Sequence, residues 1–147
     1  MSTVSASTSR RIQAPADRVV AALADYRETR AKLLPAAFTH YEVLEGGVGD
    51  GTVARWKLHA TKKRVRDVVA DVTSTDAHGL LESDRNSSLR TAWRVEEAGP
   101  DASDVVVTSE WQGAGGVGGF FERTFAPRGL QRIYGELLDE LATELER

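Results

Sequence analysis

Residues 113–147 read GAGGVGGFFERTFAPRGLQRIYGELLDELATELER, a glycine-rich hinge followed by an amphipathic helix, and this stretch decides the fold. Leu130, Tyr134, Leu137, Leu141 and Leu145 recur three or four positions apart and form one apolar stripe, flanked by Ile133 and Leu138. Gly113 to Gly119 allow the chain to turn tightly and dock that helix, and the same glycines suit a mobile entrance. Pro127 lacks an N–H and clashes with a preceding helical turn. Two helical pieces are therefore predicted, Val117 to about Phe125 and Arg128 to Glu146.

Toward the N-terminus the pattern changes. Thr3 to Ile12 alternate small apolar and polar residues, with Val4, Ala6, Thr8 and Arg10 opposite Ser5, Ser7 and Ser9, as an edge or half-exposed strand does. Pro15 at a helix start, Asp17 in the first turn, and Val19, Val20, Leu23 and Ala24 on the buried face predict a short helix ending near Asp25. A second, Arg27 to Leu34, is closed by Pro35. From Ala37 the runs FTHYEVLE, TVARWKLHA, KKRVRDVVADVTST, GLLES, SSLRTAWRVEE and DVVVTSEWQG are joined by turn-length links, and the first two read as a hairpin around GGVGDG. Six strands in series make an antiparallel meander. The expected class is α+β, a seven-stranded antiparallel sheet curved around one long C-terminal helix, with all 147 residues in a single domain.

Lengths then bear on function. A helix of about twenty residues spans roughly 30 Å, as do strands of eight to ten residues, and a coiled sheet is wider than one helix of roughly 10 Å diameter. The surplus space is either filled by large side chains or left as a cavity. Period-two alternation places Trp56 with Ala54 and Leu58, Trp93 with Leu89, Thr91 and Val95, and Trp111 with Val105, Val107 and Ser109. All three indoles face inward, as core filling or as pocket walls. The register of residues 63–72 stays open: if Val68, Ala70 and Val72 point inward, Arg64 and Arg66 follow, whereas inward Val65 and Val69 bring Asp67 and Asp71.

The formal charge of −3 argues against nucleic acid or an anionic membrane as the main partner. Cysteine is absent, which excludes disulfides and thiolate chemistry. MSTVSASTSRR lacks the apolar core of a signal peptide, and no run is long and apolar enough to span a bilayer, so the expected address is the cytoplasm.

The arrangement resembles the helix-grip fold of the START/Bet v 1-like (SRPBCC) superfamily, in its bacterial polyketide cyclase/dehydrase-like branch. The likeness rests on the first strand followed by Ala14-Pro15-Ala16-Asp17-Arg18-Val19, and on Tyr41 to Thr52, which runs strand, glycine-rich turn and next strand. It implies a deep cavity between sheet and C-terminal helix, used by relatives to hold lipids, sterols, polyketides or other hydrophobic molecules. Some relatives are cyclases or aromatases, others carry or sense a ligand.

Other motifs read blandly. Gly113, Gly115 and Gly118 have the spacing of a dinucleotide fingerprint, but no parallel strand with an acidic ribose partner follows them. Lys62, Lys63, Arg64 and Arg66 suit a solvated hairpin end. His40, His59 and His78 show no metal spacing, and no Gly-x-Ser-x-Gly elbow accompanies the serines. Asn86-Ser87-Ser88 spells a glycosylation sequon yet reads as a turn. Phe121 and Phe125 sit one helical turn apart as an apolar gate or an anchor.

The expected function is binding of a hydrophobic or amphipathic small molecule by Tyr41, Trp56, Leu58, Val68, Trp93, Trp111, Phe121, Ile133, Tyr134 and Leu137. No cofactor or metal is expected, and the protein is expected to be a monomer or a weak homodimer. A cyclase or aromatase-like enzyme would need a proton donor or acceptor in the cavity, for which Tyr41, Tyr134 and Arg66 are the candidates. An interaction module would need an exposed apolar patch or a wide charged surface.

Overall fold

Alternation and punctuation translate directly into elements in the computed structural model, which describes residues 3–59, 65–112 and 127–147. Strand β1 (Thr3–Ile12) is followed by α1 (Ala16–Ala24) and α2 (Thr29–Leu33). Then come β2 (Phe38–Glu45), β3 (Val53–His59), β4 (Val65–Asp76), β5 (Gly79–Asp84), β6 (Arg90–Glu97), β7 (Ser103–Gln112) and the long helix α3 (Pro127–Leu145). The strands form one seven-stranded antiparallel sheet in the order β1-β7-β6-β5-β4-β3-β2. The meander is as expected, and its closing step is the pairing of β1 with β7, in unbroken register from Thr3 opposite Gln112 to Ile12 opposite Ser103. This is the helix-grip architecture. No described helix is long and apolar enough to cross a membrane.

Helix α3 buries the predicted stripe, Leu130, Ile133, Tyr134, Leu137, Leu138, Leu141 and Leu145, and adds Ala142. It lies along β1, to which it is tied by Arg10 Nη1–Asp139 Oδ1 at 2.7 Å and by Gln131 Nε2 donating to the Ser7 carbonyl at 3.2 Å. Its opposite flank meets the far end of the sheet, where the Tyr134 ring is 6.0 Å from that of Phe38, the first residue of β2. The curl of the sheet therefore brings β1 and β2 to two sides of one helix.

The inner face carries all three tryptophans, each buried, as alternation predicts. It also settles the register of β4. Val68, Ala70 and Val72 are buried, with Trp56 opposite Val68 and Ala54 opposite Ala70, so Arg66 shares the inward row while Asp67 and Asp71 face out. The hinge Gly113–Gly119, the helical piece Val117–Phe125 with Phe121, and Lys62, Lys63 and Arg64 lie outside the described residues.

The β2–β3 loop latches onto the α1–α2 corner. Gly47, at φ +140°, offers its carbonyl to the amides of Tyr26 (2.9 Å) and Arg27 (3.2 Å), and Gly49 N–H donates to Ala24 (2.8 Å). A Cβ on Gly47 would meet only the movable end of the Arg27 side chain, at 2.6 Å from Nε, so glycine is favoured there by its dihedral. Arg27 also donates to the Gly46 carbonyl.

Candidate functional site

The short helix α2 exists because of its start. The Asp25 carboxylate accepts from the amides of Glu28 (3.2 Å) and Thr29 (3.3 Å) and from the Thr29 hydroxyl (2.9 Å). Burial opposes the charge on Asp25, but these hydrogen bonds together hold its carboxyl below the usual range. One turn later, α2 drives Arg30 into the interior, where its side chain is 5% exposed.

There the guanidinium is held by three hydrogen bonds. Its Nε donates to the Leu23 carbonyl at 2.8 Å, and Nη2 donates both to the Tyr26 hydroxyl at 3.0 Å and to Glu82 Oε2 at 2.8 Å. The Tyr26 hydroxyl in turn donates to the same Glu82 oxygen at 2.6 Å. The guanidinium carbon stands 4.4 Å from the Tyr26 ring centroid and 4.3 Å from that of Trp93. Glu82 arrives from β5, on the inward row with Leu80, opposite Thr91 of β6. A buried ion pair thus stands where the sheet, α2 and α3 converge.

Aromatic rings surround it. Tyr41 and Trp56 stack with centroids 6.1 Å apart, Phe38 meets Trp56 edge-on at 6.1 Å, and Trp93 meets Tyr134 edge-on at 5.5 Å. Tyr41 donates its hydroxyl to the Tyr26 carbonyl at 2.6 Å, closing the cover over the cleft. Burial raises the Tyr134 phenol and nearby Glu82 adds to the rise, while hydrogen bonds from Thr91 and Ser109 pull the other way. Those two hydroxyls share a buried 2.8 Å hydrogen bond. Burial likewise raises Tyr41, and raises Tyr26 well above the ordinary phenol value.

The cleft is lined by Tyr26, Arg30, Leu34, Phe38, Tyr41, Trp56, Glu82, Tyr134 and Leu137. Its free space is about 10 Å³, close to the minimum that accommodates one water molecule. The surplus width of the sheet is thus almost entirely occupied by rings and by the ion pair, a closed arrangement rather than the open pocket that lengths alone suggest. The indole N–H of Trp56, which lines the cleft, is buried without a hydrogen-bond partner, as is that of Trp93 beneath it.

Of the residues expected from sequence, Tyr41, Trp56, Tyr134 and Leu137 meet in this cleft. Trp93 lies beneath it against Arg30. Leu58, Val68, Trp111 and Ile133 are buried in the adjoining core, and Phe121 lies outside the described residues. Tyr26, Arg30 and Glu82 were not anticipated. Alternation through GLLES would have found Glu82, since it shares a row with Leu80 and Asp84, all buried. Arg30 gave no such sign, because a basic residue in a short helix ordinarily faces water. His59 bonds Thr39 at 2.7 Å and His78 stands 3.6 Å from Asp17, and among the described residues no group of side chains suited to a metal ion occurs.

Comparison with families finds a match over residues 3–146 to one described as polyketide cyclase/dehydrase and lipid transport. Among solved structures, the KanY protein is 49% identical over the whole of both chains, with a TM-score of 0.89. The Zhui aromatase/cyclase from Streptomyces sp. R1128 is 18% identical, covering 99% of this chain and 95% of its own, with a TM-score of 0.69. Norcoclaurine synthase from Thalictrum flavum, in complex with dopamine and hydroxybenzaldehyde, is 15% identical over 97% of this chain and 86% of its own, with a TM-score of 0.68. Comparison with curated proteins finds no match.

Proposed function

We propose, because the chain belongs to the polyketide cyclase/dehydrase and lipid transport family, that it binds a hydrophobic or amphipathic small molecule at the aromatic cleft between the sheet, α2 and α3. The observation that carries this reading is the pairing of apolar rings with an unsatisfied donor: Phe38, Tyr41, Trp56 and Tyr134 supply flat contact, while the Trp56 indole N–H lacks an acceptor. Entry requires the cover to move. Leu34 and Tyr41 are only partly buried, and Tyr41 is held to the α1–α2 corner by the hydrogen bond to the Tyr26 carbonyl, so opening the cover means breaking that bond. A ligand larger than the opened cleft extends toward Leu58, Val68, Trp93, Trp111 and Ile133.

Carriage or sensing fits the site better than proton-transfer catalysis. All three tyrosines are raised by burial, so each stays a neutral phenol that can donate a hydrogen bond but not act as a base near neutral pH. Glu82 accepts from two donors on Oε2 and carries the charge that balances Arg30. The fold itself does not choose, since its neighbours include enzymes.

Titration with Nile red and a panel of fatty acids, sterols and aromatic ketones tests the reading. Binding should quench or shift tryptophan emission, and saturation at a hundred times Kd should stabilise the protein by about 2.7 kcal/mol. Trp56→Phe should weaken the emission change. If the panel leaves emission and melting temperature unmoved, and freshly purified protein shows only its bare mass in native mass spectrometry, the reading is wrong.

A further inference from the structure

We infer that the Arg30–Glu82 pair makes the cleft selective for uncharged, oxygen-bearing aromatic ligands and against carboxylates of the same shape. The inference rests on the small-molecule reading above and adds the chemical class. Both ion-pair partners are buried to about the same degree, with side chains 5% and 4% exposed. The charge of Arg30 is already matched: Glu82 balances it, and the Tyr26 and Trp93 rings stand 4.4 and 4.3 Å from the guanidinium carbon. An entering carboxylate would therefore add a net negative charge to a dry, already neutral site, and burial without a counter-charge costs several kcal/mol even after relaxation.

Arg66, on the inward row of β4, does not line the cleft. Trp56 Nε1, on the cleft wall, is a buried donor with nothing to donate to, and Trp93 Nε1 beneath it is another. A ketone or ether oxygen on a flat ring meets that need without bringing charge.

The test uses two probes of nearly equal shape, 2-acetylnaphthalene and 2-naphthoate, titrated at neutral pH, where the acid is ionised. In the wild-type protein the ketone should bind on the order of tenfold or more tightly than the carboxylate. Glu82→Gln keeps the size and an acceptor for Tyr26 but leaves Arg30 uncompensated, so the preference should reverse. If that variant fails to fold, the wild-type ratio still decides, joined by the Arg30→Met/Glu82→Met double variant, in which naphthoate should remain the weaker probe.

Equal or tighter binding of naphthoate to the wild type overturns the selectivity and leaves small-molecule binding intact. So does a Glu82→Gln variant that folds yet keeps the wild-type ratio. If Nile red binds and neither naphthalene does, the proposed ligand class is wrong. If nothing binds, the reading beneath it falls too.

Discussion

Breaking the buried pair one partner at a time, and then both together, measures how dry the interior is. Arg30→Met removes the donors to Leu23, Tyr26 and Glu82 and leaves a carboxylate whose side chain is 4% exposed. Glu82→Leu leaves the guanidinium equally stranded and strips the Tyr26 hydroxyl of its acceptor. Each single change should cost about 3–5 kcal/mol, the usual penalty for an orphaned buried charge. For a chain of this size that lowers the melting temperature by roughly 6–20 °C. The double variant replaces two charges by apolar groups of similar bulk and leaves only the Tyr26 hydroxyl and the Leu23 carbonyl to find new partners. It should therefore lie within about 2 kcal/mol of the wild type, a coupling of at least about 4 kcal/mol between the sites. Urea unfolding followed by far-UV circular dichroism and by tryptophan emission provides the assay, since Trp93 lies 4.3 Å beneath the guanidinium. Additive single effects, or singles costing less than about 1 kcal/mol, would mean that water reaches both charges and that the floor of the cleft is open.

Two further outcomes follow from packing and titration. The chain's three tyrosines, Tyr26, Tyr41 and Tyr134, all have folded-state values raised above 10.0, chiefly by burial. A raised folded value gives stability that is present below the unfolded value and lost as pH climbs toward the folded one. Phenolate absorbance and loss of circular dichroism should accordingly rise together above pH 10, and phenolate appearing while the protein stays folded would contradict this. Leu137→Ala, at a side chain with no exposure on the inner stripe of α3, should cost about 2–5 kcal/mol in the same urea assay. A loss below about 1 kcal/mol would mean that the helix is not seated on the sheet as described.

The architecture was legible because two periodicities carry it. The 3.6-residue stripe from Leu130 to Leu145 and the period-two rows holding Trp56, Trp93 and Trp111 each admit one buried face, and both faces are the observed ones. The partner of β1 was not legible, because pairing across the whole chain leaves no local mark. At β4 two apolar rows competed, Val68, Ala70 and Val72 against Val65 and Val69, and only the pairing with β3 decides between them. The cleft was half legible. Its rings follow from alternation, but its charges belong to Arg30 and Glu82, fifty-two residues apart, and a buried ion pair depends on a spatial meeting that neither segment announces. The fill of the gap was likewise hidden, since strand and helix lengths set its width and say nothing of the rotamers that occupy it.

One feature of α3 reaches beyond the cleft. An open sheet has two borders, and each exposes backbone groups on which another copy could template a strand. Here the Gln131 side chain occupies the Ser7 carbonyl along the outer border of β1. At the other border β2 slips register at Thr39/Glu42 and again at Val43/Glu45, with His40 at φ 56°. Helix α3 thus caps part of the β1 border, and a truncation ending before Pro127 is expected to aggregate faster than the full chain, as followed by thioflavin T fluorescence.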